Sequence, residues 1–237
     1  MYLKCFRAMF SAVRMLLKSP RTLLMLFISW AGLLTAVYVF ASTREATISQ
    51  LLLTLVVVIA APALFFVLQA VSVTYAGDRP GVRTSQIAID GLKLIVVSTP
   101  VIAITLLALH TLNKIQSHLT FATTLRYLLI AVVAPMLAIQ LWIAASTRGL
   151  RSLLKGLRLV LGQTFAPQSM FVYGCGFLIF AVVPYLILQI GISSDHPWAE
   201  LSVLVVRMVV SAILILLGWV TTVGALSILG SAQYRAR

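Results

Sequence analysis

Residues 148–158 read RGLRSLLKGLR, in the longest polar gap between hydrophobic runs of this 237-residue chain. The charges Arg148, Arg151, Lys155 and Arg158 fall at steps of three, four and three. On an α-helix those steps gather the four on one face and leave Leu150, Leu153, Leu154 and Leu157 on the other. The same spacing recurs at Lys4, Arg7, Ser11 and Arg14, and at Arg83, Gln86, Asp90 and Lys93. The surroundings of the last position also match: Val13-Arg14-Met15-Leu16, Leu92-Lys93-Leu94-Ile95 and Leu157-Arg158-Leu159-Val160. A proline follows each copy (Pro20, Pro100, Pro167), and then a pair of hydrophobic runs. The chain reads as three copies of one unit, a basic amphipathic helix followed by a transmembrane hairpin. The units cover about 1–76, 77–147 and 148–237 of a single integral membrane domain, 1–237.

Composition places those runs in a bilayer. The chain is 61% hydrophobic and 10% charged, with mean hydropathy +1.08. A soluble domain carries roughly 25% charged residues, so this chain has too little polar surface to cover itself in water. Six runs, at about 22–41, 50–76, 94–112, 127–147, 170–192 and 201–229, each supply the roughly 20 apolar residues that cross a membrane as a helix. The expected fold is an all-α polytopic membrane protein with six transmembrane helices. Its net charge of +13 would point to nucleic acid in a soluble chain, but here the basic residues flank the spans. That is the pattern of topology signals and contact with anionic lipid, so nucleic acid is not an expected partner.

Lysine and arginine also set the orientation. The N-terminal segment, the second and fourth loops and the C-terminal tail hold fourteen of them, the other three loops only Arg44, Lys114 and Arg126. The positive-inside bias puts both termini in the cytoplasm, in an inner (cytoplasmic) membrane. Tyr38, Tyr127 and Trp198 are then expected at the outer interface, and Tyr75, Trp142, Tyr173 and Tyr234 at the inner one. Cys5 and Cys175 fall on the reducing side, where a disulfide is not expected.

Few residues offer chemistry. Lys4, Arg7, Arg14, Arg148, Arg151, Lys155 and Arg158 form stripes able to meet lipid headgroups or an acidic partner; the simpler account makes each helix an elbow in the interface. Arg207 is the one charge deep in a predicted span, either a site for an anion or a side chain snorkelling toward Glu200 or Asp195. Pro62, Pro100, Pro135 and Pro184 each free a carbonyl, either as plain kinks or as the broken helices of a solute cavity. The frames Pro135-x-Leu-x-Ile-Gln140 and Pro184-x-Leu-x-Leu-Gln189 match. Small residues at Gly32/Ala36, Ala134/Ala138 and Gly218/Thr222 allow close helix approach, within the chain or between copies. His110, His118 and His196 share the outer side without ligand spacing. The acids number five, all placed outside the predicted spans, and no phosphate loop, His-Glu-x-x-His or serine elbow occurs. No enzymatic activity, metal or cofactor is expected.

At Ala12-Val13-Arg14-Met15-Leu16-Leu17-Lys18-Ser19-Pro20 and Gly77-Asp78-Arg79-Pro80-Gly81 the chain resembles bacterial six-span membrane proteins. Among them are the membrane domains that accompany glycerophosphodiester phosphodiesterases and, more distantly, Yip-type proteins. The phosphodiesterase's acidic catalytic residues have no counterpart, so the resemblance implies a helical membrane module without activity of its own. The leading expectation is a non-catalytic scaffold or accessory subunit of a membrane complex. Its partners would be anionic lipids at the basic helices and further membrane-protein subunits or copies of itself. The alternative is a small permease for an anionic or amphiphilic solute or lipid.

The charge bias makes a direct prediction. In a chain with Cys5 and Cys175 replaced by alanine, single cysteines at 44, 118 and 195 should react with an impermeant thiol reagent from outside the cell. One at 155 should react only after permeabilisation, and outside labelling there overturns the orientation.

Overall fold

The computed structural model describes residues 2–43, 47–76, 84–114, 120–150, 153, 156–191 and 197–235. Among them every regular element is helical, and six helices are long and apolar enough to cross a membrane. The chain is an all-α, multi-pass membrane protein. Span one is Pro20–Ser42 and span two Ile48–Thr74. Span three belongs to the helix Thr84–Lys114; span four joins Thr120–Leu128, Leu129–Val133 and Ala134–Arg148. Span five joins Pro167–Phe177, Leu178–Val182 and Val183–Gln189, and span six lies in Pro197–Arg235. Side chains such as Leu52, Ile59, Ile104 and Val206 stand exposed on the outer surface. A hydrocarbon environment, not water, is the solvent that such a surface fits.

A helix precedes each hairpin, but the three are set differently. The first, Tyr2–Lys18, is separate; Ser19 and then Pro20 at the first position of span one end it. The third includes Leu157–Thr164, parted from span five by Ala166 and Pro167. The second runs without a break into span three, although Pro100 lies inside it. The reason is position: Pro20 and Pro167 fall where the chain leaves the apolar runs, whereas Pro100 is flanked by Leu94–Val97 and Val101–Ile104. Breaking the helix there would leave backbone groups bare in hydrocarbon. Asp90 thus becomes part of a span (Gln86–Lys114), which corrects the expectation that no acid enters one. It is buried, and the Lys93 ammonium donates to it at 2.8 Å.

The core is concentrated at one end of the bundle, called proximal here because the N-terminal helix packs there. Leu68–Val73 of span two, Met136–Ala145 of span four and Leu216–Ser227 of span six carry nearly half of the buried side chains among the described residues. Trp142 and Tyr173 belong to this core and Tyr75 packs against it, its hydroxyl donating to the Val220 carbonyl at 3.1 Å. These three aromatics are packed into or against the core and do not form the exposed inner interface ring expected from the sequence. Tyr38, Tyr127 and Trp198 at the distal end are strongly exposed, as an interface ring requires. The small residues serve internal packing. A Cβ on Gly218 would sit 2.9 Å from the Phe180 Cβ of span five, and one on Gly32 3.2 Å from Leu64 of span two. At the distal end, Thr120–Leu128 and Val183–Gln189 pack mainly within their own hairpins.

The matching proline frames fold alike. Leu129–Val133 and Leu178–Val182 are π-helical turns, closed by Ala134 N–H to the Leu129 carbonyl and Val183 N–H to the Leu178 carbonyl. Pro135 and Pro184 come two residues after each. A proline clashes with the carbonyl four residues back and cannot bond it, and the wider π-turn makes room. The carbonyl freed by Pro135 is that of Ala131, and the Tyr173 hydroxyl of span five donates to it at 2.6 Å. Removing that hydroxyl should therefore cost about 1 kcal/mol, the scale of inter-helix hydrogen bonds in membranes. Tyr173→Phe should lower thermal stability in detergent. The loss should shrink toward zero in a Pro135→Ala background, where a main-chain N–H becomes available to the same region; equal losses in both backgrounds would refute the pairing.

Candidate functional site

The two π-turns shape a cavity of about 590 Å³ in the middle of the bundle. Widening at Leu129–Val133 turns Ile130, Ala134 and Pro135 toward it, and the turn at Leu178–Val182 contributes Phe180. All six spans reach it. Span one adds Trp30 and Leu33, span two Phe65, Phe66 and Gln69, span three Ser98, Ile102 and Leu106, and span six Ile215 and Trp219. Aromatic edges stiffen the wall, with Phe180 and Trp219 centroids 5.3 Å apart and Phe65 and Trp142 6.3 Å apart. Such T-shaped pairs resist collapse of the space between them.

The wall is almost wholly apolar, with polar groups in two internal pairs. The Trp219 indole donates to Gln69 Oε1 at 2.8 Å, and the Trp142 indole donates to Ser98 Oγ at 2.7 Å. Both pairs lie toward the proximal core, with Gln69 and Ser98 themselves buried. Toward the distal side Ile102, Leu106 and Ile130 are more than half exposed. There spans three and four diverge, packing along Ala134–Arg148 far more than along Thr120–Leu128. The cavity is closed proximally and opens between two spans onto the apolar outer surface. Arg126 holds this hairpin's distal end, donating to the Leu112 carbonyl at 2.8 Å.

None of the basic residues singled out as sites in the sequence is among the residues found lining this cavity, whereas Pro135 is. Arg207 lies on the face of span six shared with Ser211 and Gly218, at steps of four and seven. Ser211 donates to the Pro184 carbonyl and Gly218 abuts Phe180, so that face turns to span five; Arg207 stands about two turns before Ile215, where span six begins to line the cavity. Arg207 has no ion pair among the described residues, and its Nε is buried without a hydrogen-bond partner. The expected pairing with Glu200 is therefore not made, and Asp195 lies outside the described residues. Arg151 and Lys155 also lie outside them, as does the Arg148 side chain; Arg158 is exposed on Leu157–Thr164. In the middle copy the stripe does not face outward, since Gln86 is exposed but Asp90 is buried against the bundle. His110 is exposed, and His118 and His196 are outside the described residues.

The first copy is described along its whole helix and has three faces about a third of a turn apart. Lys4, Arg7, Arg14 and Lys18 are exposed along one. Cys5, Ala8, Ala12 and Leu16 are buried along the second, against spans five and six. Leu3, Phe6, Phe10, Val13 and Leu17 stand exposed along the third. Phe6 reaches the Phe171 ring at 5.5 Å and Tyr2 reaches it at 5.0 Å, fixing the helix across the proximal end of span five.

The sequence signalled the cavity only through its prolines. Its aromatic lining was not legible, because Trp30, Phe65, Trp142 and Trp219 are scattered through four apolar runs with nothing to mark a shared destination. No protein-family model matches this chain, nor does any curated protein or solved structure.

Proposed function

We propose that this protein is a non-catalytic membrane protein that takes a largely apolar amphiphile from the bilayer into its central cavity, as a small permease or lipid-handling module. The observation that carries this reading is the cavity itself. Its size lies within the roughly 300–1,000 Å³ of ligand pockets, and an apolar wall with a few placed polar groups is their usual composition. Its mouth between spans three and four is lined by exposed Ile102, Leu106 and Ile130, so an apolar molecule reaches it without crossing water. Kinked, π-turned spans around a mid-bundle space are also what solute-binding membrane proteins use.

The N-terminal helix supports an interfacial role beside this one. Its three faces suit three surroundings at once: protein, acyl chains and anionic headgroups. The positive-inside bias supports an orientation with the proximal end and both termini toward the cytoplasm and Lys4, Arg7 and Arg14 among the headgroups. Lateral assembly into a scaffold has less support, since Gly32 and Gly218 pack inside the chain and Ala134 and Ala138 face the cavity.

Filling the cavity tests the proposal. Protein purified in mild detergent should carry an amphiphile at near one copy per chain, measured by mass spectrometry of the extract. Ala138→Phe places a ring in the space and should cut retention at least ~10-fold, equivalent to ~1.4 kcal/mol, with thermal stability preserved because the ring enters existing volume. Arg207→Leu, away from the cavity, should leave retention unchanged. Retention indifferent to Ala138→Phe would end the proposal.

A further inference from the structure

Resting on the reading of the cavity as an occupied site, we infer that its ligand is electrically neutral and carries hydrogen-bond acceptors, such as carbonyl or ester oxygens, at the end that meets Gln69. Hydrogen-bond accounting within the wall leads there. An indole N–H can only donate, so Trp219 determines which way the Gln69 amide lies. Its Oε1 is turned to Trp219, and its NH₂ group, with two donors, finds no acceptor among the described residues. Trp142 acts in the same way on Ser98, donating to its hydroxyl oxygen and leaving the O–H without an acceptor among the described residues. A third indole, Trp30, has its N–H buried with no acceptor. Gln69 Oε1 and Ser98 Oγ each already accept an indole N–H, whereas the Gln69 amide N–H groups and the Ser98 O–H meet no acceptor among the described residues; the Thr105 hydroxyl at the wall can serve either way.

Charge narrows the class further. Among the described residues, no lysine, arginine, histidine, aspartate or glutamate lines the space. An ionised head would enter an apolar wall without a counter-charge, which is far costlier than burying a neutral polar group. An ammonium would in addition meet donors with its own donors. A neutral ester or ketone avoids both penalties and satisfies groups that the protein leaves bare, and unmade bonds of buried groups are what binding can recover. The anionic solute considered from the sequence fits this wall poorly.

The test uses the full chain in detergent with Trp198→Phe, so that the remaining indoles, Trp30, Trp142 and Trp219, all line the cavity. Four probes share one brominated alkyl chain and differ at its end: methyl ester, carboxylate, primary ammonium and plain alkane. Saturable quenching of fluorescence reports binding. The ester should bind roughly three- to tenfold tighter than the alkane, the worth of one or two hydrogen bonds, and tighter still than either ion. Gln69→Glu retains the oxygen for Trp219 but replaces the donors with a carboxylate, and should reverse the order in favour of the ammonium. Should that variant fail to fold, Trp30→Phe, which removes a bare buried donor, should narrow the gap between ester and alkane. Equal affinity for all four probes, or preference for the carboxylate, overturns the inference while leaving the cavity as a binding site. Absence of saturable quenching by every probe, the alkane included, would instead refute the binding site itself.

Discussion

Inside a bilayer no water is available to a bare carbonyl, so every main-chain group must find its partner within the protein. Pro135 and Pro184 each withdraw a donor from a span, and much of the architecture follows from how that loss is met. The helices widen into π-turns, and the Tyr173 hydroxyl crosses from span five to the Ala131 carbonyl of span four. That bond ties the second hairpin to the third. Tyr173 can reach it only because Tyr173 is part of the proximal core, so core packing and backbone satisfaction are one arrangement. Where Thr99 precedes Pro100, its hydroxyl bonds the Ile95 carbonyl at 2.9 Å and the helix continues.

The cavity is the consequence of bending helices that are pinned at one end. Spans two, four and six meet tightly where Gly218 and Thr222 admit span five and Gly224 admits Tyr75. Beyond the π-turns the hairpins no longer share a core. Large aromatic side chains occupy the boundary and hold it open, since their edge-to-face contacts set ring separations that cannot shrink. The indole partners Gln69 and Ser98 then give a nearly apolar wall its few polar points. A densely packed proximal half and a sparsely packed distal half fit the site proposed above, one filled from the membrane.

The N-terminal helix shows how one short segment can satisfy three solvents. Cys5, Ala8 and Ala12 are small, which lets its backbone lie close to span six. The basic and the large apolar residues are left for water and lipid. The middle copy uses the same spacing differently: Asp90 is drawn into the bundle beside Lys93, because its helix has no break before the span. Equal spacing in sequence therefore yields unequal exposure.

The sequence by itself determined the membrane class, the six spans, and Pro135 and Pro184 as points of distortion. Each of these depends on local composition or on periodicity along one helix, both of which survive whatever the neighbours do. Only the tertiary structure decided which of those distortions made a cavity and which residues faced it. Apolar runs are uniform all round, and hydropathy cannot say which side of Trp30, Phe65 or Trp219 meets lipid and which meets protein. It also decided that Trp142 and Tyr173 are core and not interface, and that Arg207 faces span five. Such assignments depend on contacts between residues far apart in the chain, such as Tyr173 with Ala131 and Trp219 with Gln69, and no periodicity within one helix encodes its partner's identity.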